Sequence, residues 1–97
     1  MKKIDLTNYQ VGELPYDVKT SITNLMFNPE LKLSGRELLA QDALAKKIED
    51  AGGYVLLEEA EYQKVKRAFD TFSGFSRADL LLVDRVLNAQ EVAVKEK

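Results

Sequence analysis

Two helix-start signals constrain this chain more than any other feature. The sequence reads LSGRELLA at 33–40 and FSRADLLL at 75–82. Ser34 with Glu37, and Ser76 with Asp79, have the spacing of a capping box, in which the two side chains satisfy backbone donors that a first helical turn leaves free. Leu33 with Leu38, and Phe75 with Leu80, stand where a hydrophobic staple places its pair. The echo is one start signal used twice. So short a match does not establish a duplication, and the flanking segments differ.

Breakers and apolar spacing supply the other elements. A first helix is expected from Pro15 to Phe27, because proline suits an opening turn and Asn28-Pro29 closes the element. Val18, Ile22, Leu25 and Met26 form its buried stripe. The helix that starts at Ser34 runs to Ala51, with Leu38, Leu44, Ala45 and Ile48 inward and Gly52 as the left-handed residue that ends it. A third helix covers Glu59 to Phe72, with Tyr62, Val65, Phe69 and Phe72 on one stripe, and Ser73-Gly74-Phe75 breaks it. The fourth carries an apolar face of Leu82, Val83, Val86, Leu87 and Ala89.

Strand signals are weaker. YVLL at 54–57 reads as one short strand, and residues 4–11 alternate with Ile4 and Leu6 on one side. Val92 and Val94 in the tail, residues 91–97, can fray or pair with either. The expected architecture is mainly α. It is a four-helix single domain over residues 1–97, with an arm or strand at 1–13 and one small optional β-sheet from that arm, residues 54–57 and the tail.

A chain of 97 residues has room for one core. It buries roughly 60–68% of its unfolded surface, so its stability is modest and a partner can matter. Fourteen Lys and Arg against sixteen Asp and Glu give a net charge of −2, which offers no basic field to hold nucleic acid. There is no cysteine and no histidine. That excludes disulfides, thiolate nucleophiles and Cys-bound zinc, and removes the commonest general base. The expectation is a protein that is not an enzyme and carries no cofactor or metal. Carboxylates in a concave pocket are the chemistry left to an enzyme. MKKIDLTNY starts basic without an apolar signal region, and no stretch nears the ~20 apolar residues of a membrane span. The expected location is cytoplasmic, with no membrane partner.

The joint at 52–69 imitates three sites. Gly52 and Gly53 follow a helix and precede a strand, the reverse of a phosphate-binding loop. Glu58, Glu59 and Glu61 suit the positive end of a helix and lack the converging ligands of a divalent-metal site. Lys64, Lys66 and Arg67, joined by Lys46 and Lys47, are the candidates for a nucleic-acid-associated regulator, the alternative function. Against it, a recognition helix presents its N-terminal residues to the groove, and here that end is acidic.

Some apolar residues fall off the core stripes. Tyr16 and Phe27 lie together opposite Ile22, Leu39 points away from Ile48, and Leu81 falls among polar residues. Neighbouring elements can cover these four, or they can serve as anchors for self-association or a protein partner. YVLLEEAEYQKVKRAF at 54–69, followed by FSRADLLLVDRVLNAQEV at 75–92, resembles small uncharacterised proteins encoded in bacteriophage and prophage genomes. The resemblance covers residues 52–94. It implies a phage or prophage origin, a virion-assembly or host-interaction role, and residence in the host cytoplasm or the virion. It carries no catalytic residues. The leading expectation is therefore a non-enzymatic interaction or assembly protein, phage-derived, that binds a protein partner or itself as a homo-oligomer.

Overall fold

A computed structural model of the chain describes residues 1–92. In chain order the strands are β1 (Lys2–Asp5), β2 (Tyr9–Val11), β3 (Leu14–Tyr16), β4 (Tyr54–Leu57) and β5 (Gln90–Glu91). The helices are α1 (Val18–Met26), α2 (Gly35–Asp50), α3 (Glu59–Thr71) and α4 (Leu80–Leu87). Among the described residues, four helices thus share the fold with a three-stranded sheet and a separate two-stranded hairpin, both antiparallel.

The N-terminal strand is the middle of its sheet, in the order β4-β1-β5. Pairing of Ile4 with Val55 puts two β-branched residues on the inward face, and Leu6 follows them into the core. The tail closes the other edge, with Glu91 opposite Lys2 and the Val92 N–H donating to the Met1 carbonyl at 2.7 Å. Val94 lies outside the described residues. Against this sheet the core takes Ile22 and Met26 from α1, Ile48 from α2, Val65 and Phe69 from α3, and Leu82 and Val86 from α4.

Pro15 does not open a helix. It sits in β3 opposite Gln10, in a hairpin turned by Gly12 at φ 63°. Both hairpin strands are edges, where a residue without an N–H forfeits no ladder bond, and the positive φ is one glycine adopts freely. The α1 start moves to Asp17, whose carboxylate accepts from the Thr20 N–H, while the Asn8 side chain accepts from the Val18 N–H. Two orphan donors of the first turn are satisfied that way.

The capping box of α2 forms as its spacing demands, with Ser34 Oγ accepting from the Glu37 N–H and Glu37 Oε1 from the Ser34 N–H. Two expectations for this helix are corrected. Leu38 is about half exposed, and the buried position is Gln41, whose amide donates to the Met26 carbonyl left free at the end of α1. Gly52 is not left-handed: Ala51 is already extended at φ −71°, ψ 158°. The chain turns straight into β4, and the Gly53 carbonyl accepts from the Leu6 N–H at 2.8 Å to prolong the β1–β4 ladder.

The second start signal builds a 3-10 turn at Arg77–Asp79 that runs into α4. Asp79 Oδ2 accepts from the Ser76 N–H at 2.9 Å and the Ser76 hydroxyl at 3.2 Å. Leu80 is 64% exposed, so the expected staple gives way to Phe75 packing on Phe69 and Phe72. Among the described residues no helix is long and apolar enough to cross a membrane.

Candidate functional site

The end of α3 shapes an apolar hollow. Phe72 leaves the helix in extended conformation, and Gly74 at φ 116° turns the chain so that Phe75 meets Phe72 edge-on, 4.8 Å between centroids. A side chain at Gly74 would be strained at that φ, although its Cβ would meet the Phe72 ring only at ordinary contact distance. Across from these rings stand Asn24, Leu25 and Phe27 of the α1 end and the Asn28-Pro29 turn. The groove between them has a volume of about 440 Å³, and Tyr16 and Asp79 also line it. That volume lies within the range of small-ligand and side-chain pockets.

The hairpin reaches this end through its register. Tyr9 is paired with Tyr16, which places both rings on one face, stacked 4.7 Å apart. The Tyr9 hydroxyl donates to the Ala78 carbonyl at 3.0 Å, and the Tyr16 hydroxyl donates to Asp79 Oδ1. Arg85 lies 5.2 Å over the Tyr9 ring and donates to the Thr7 carbonyl. One stacked pair therefore pins the hairpin to the turn that starts α4.

Burial pushes the Asp79 carboxyl up. Its hydrogen bonds from Tyr16 and Ser76 outweigh that and hold it below the ordinary aspartate range. Burial, then the bond to Asp79, pushes the Tyr16 phenol above its ordinary value. A lowered acid stabilises the fold at pH above its unfolded value, and a raised phenol stabilises it below its own. The urea midpoint of the wild type minus that of Tyr16→Phe should therefore be largest between about pH 4 and pH 10. It should shrink below that window as Asp79 protonates, and above it as the unfolded phenol ionises first. A difference that stays constant from pH 2 to 11 would sink the assignment.

Of the four candidate anchors, the structure brings Tyr16 and Phe27 into this groove. Leu81 lines a different, shallower recess of about 310 Å³ with Tyr9, Val11, Arg77 and Leu80. The tyrosine stack stands between the two, Tyr16 facing one and Tyr9 the other. Leu39 is 74% exposed on α2, which packs on α1, whereas α4 packs on α3 and β1. Leu39 and Leu81 are thus both exposed, on helices that pack chiefly against different neighbours. No protein-family model matches the chain, no curated protein matches it, and no solved structure matches its fold.

Phe72, Phe75 and Asp79 also line the groove, although in sequence Phe72 fits a core stripe, Phe75 a staple and Asp79 a cap. The one available signal was a pair of phenylalanines flanking Ser73-Gly74, since a glycine there can fold one ring back on the other. The basic positions are largely engaged. Lys46 pairs with Asp42, Lys47 with Glu61, Lys66 with Asp70 and Arg67 with Glu37, all within 4 Å. Arg67 also donates to the Leu31 carbonyl. Glu61 accepts from the Glu58 N–H as well as from Lys47, so it serves the start of α3. Among the described residues no group of three or more carboxylates is placed to hold a metal ion. A broader hollow of about 500 Å³ lies over the outer face of the three-stranded sheet, lined by Lys3, Asp5, Thr7, Tyr54 and Gln90. Its walls mix the charged Lys3 and Asp5 with the exposed Tyr54 ring.

Proposed function

We propose that this chain is a non-enzymatic, phage-derived interaction protein that docks a protein partner, another protein or a second copy of itself, in the groove beside Tyr16 and Phe27. The observation that carries the reading is the groove wall: Tyr16, Phe27, Phe72 and Phe75 converge there from three separate segments. Aromatic anchors around a desolvated pocket are the residues that dominate binding energy at interfaces. Asp79 is the one carboxylate on the wall, and no second group charged at neutral pH stands beside it there to share a proton, which favours binding over acid–base chemistry. The phage origin rests on the sequence resemblance over residues 52–94. Ion pairing of Lys46, Lys47, Lys66 and Arg67 weighs against the nucleic-acid alternative.

Affinity capture tests the reading. Tagged wild-type protein is incubated with an untagged copy and with a bacterial host lysate, beside tagged Phe27→Asp and Leu39→Asp. Phe27 is partly exposed and Leu39 largely so, so neither change should disturb the core. The expected result is one prey, host protein or second copy, held by wild type and Leu39→Asp and lost by Phe27→Asp. A prey held equally by all three baits would exclude the groove.

A further inference from the structure

Within the groove the charge is one-sided. Eleven residues line it and Asp79 alone is ionisable to a charge at neutral pH. Asp79 belongs to no ion pair among the described residues. Its Oδ2 accepts two hydrogen bonds from Ser76, but Oδ1 accepts only the one from Tyr16. A carboxylate oxygen has two acceptor positions, so Oδ1 keeps one for a ligand. The walls beside it are ring faces and edges of Tyr16, Phe72 and Phe75, together with Leu25 and Phe27. Aromatic faces attract cations, and the aliphatic stem of a long basic side chain packs on such surface while its head finds the charge.

We infer that the groove accepts a lysine or arginine side chain presented by the partner, its stem along Phe27, Phe72 and Phe75 and its charged head at Asp79. The inference rests on the groove being the docking site and adds the charge of what docks. Asp79 is then both the acid that starts α4 and the residue that selects the partner. An anionic or neutral segment of the same size would meet the same rings without the countercharge.

Two small probes of like shape and opposite charge test this by nuclear magnetic resonance titration of the full chain at neutral pH: phenethylammonium and 3-phenylpropionate. The ammonium probe should shift the amide resonances of Phe27, Gly74 and Phe75 and bind roughly fivefold or more tighter than the carboxylate, the size expected of one exposed ion pair with a ring contact. Asp79→Asn should bring the two probes to within about twofold of one another, as loss of the charge removes an interaction of that size. Tyr16→Phe keeps the carboxylate and frees Oδ1, so it should retain the preference even if Asp79→Asn proves unstable. Equal binding of the two probes to wild type, or loss of the preference in Tyr16→Phe, overturns the charge selection and leaves the groove as a docking site. No shift at groove resonances with either probe overturns both.

Discussion

Replacement of Ile22 by alanine should lower the stability of this chain by about 2–5 kcal/mol, the range for truncating a fully buried isoleucine. Ile22 is fully buried at the middle of α1. That helix packs on both α2 and α3, so the vacated space is bounded by rigid elements on two sides and collapses poorly. Incomplete collapse is what moves such a deletion toward the upper end of the range. Domains of this size have in total about 5–15 kcal/mol to lose. The thermal midpoint should fall by roughly 10 °C or more, at about 4–8 °C per kcal/mol. Thr20→Ala, on the exposed side of the same helix, should stay within about 0.5 kcal/mol of wild type. Equal losses at Thr20 and Ile22 in a urea titration would show that α1 does not face the core as described.

Ile22 belongs to the part of the fold that the sequence made legible, and the reason is periodicity. Val18, Ile22 and Met26 recur at helical spacing, as do Tyr62, Val65 and Phe69, and all six are buried. Ser34 and Glu37 were readable because a capping box is a local bargain between two side chains and the backbone beside them. Where the reading failed, a distant partner decided the outcome. Pro15 suits a helix start as well as an edge strand, and only the pairing of Tyr9 with Tyr16 selects the strand. Gly52 suits a helix end, but the Leu6 N–H calls for an acceptor at Gly53 and draws the chain directly into β4. Leu38 fits the stripe of α2, yet the free carbonyl of Met26 needs a donor, and Gln41 occupies the inside in its place.

The groove was half legible for the same reason. Tyr16 and Phe27 stood out because their own segments did not use them. Phe72, Phe75 and Asp79 already had a plausible local employment, so nothing in the sequence marked them as available. Each serves twice: Asp79 starts α4 and faces the groove, and Phe75 packs on Phe69 and lines the groove. Residues with two roles are hidden from any reading that stops once the first role is filled. Leu39 and Leu81 illustrate the converse. Neighbouring elements leave both exposed, but exposure alone did not bring them to the groove.

Tyr62→Phe carries the second large expected effect, because it removes one oxygen and leaves the packing intact. Tyr62 is 4% exposed on α3, and its hydroxyl donates to the Val86 carbonyl at 2.7 Å and the Leu87 carbonyl at 3.3 Å. These are carbonyls of the last turn of α4, which no later helical N–H can satisfy fully. A phenylalanine ring would fill the same space and leave those acceptors without their buried donor, at about 1–3 kcal/mol. The damage should be local first. α4 is joined to β5 through Asn88 and Ala89, and β5 is tied to β1 by two residue pairs and by the Val92 N–H to Met1 bond. Loosening the end of α4 therefore releases the weakest strand of the sheet before the core opens. In hydrogen exchange, the Val92 amide should quicken in Tyr62→Phe by more than the Ile22 amide does. Tyr54→Phe, at an exposed ring on the outer face of β4, should leave both unchanged. If Val92 and Ile22 quicken by the same factor in Tyr62→Phe, the chain opens only as a whole, and the Tyr62 bond stabilises the entire fold instead of fastening its C-terminal edge.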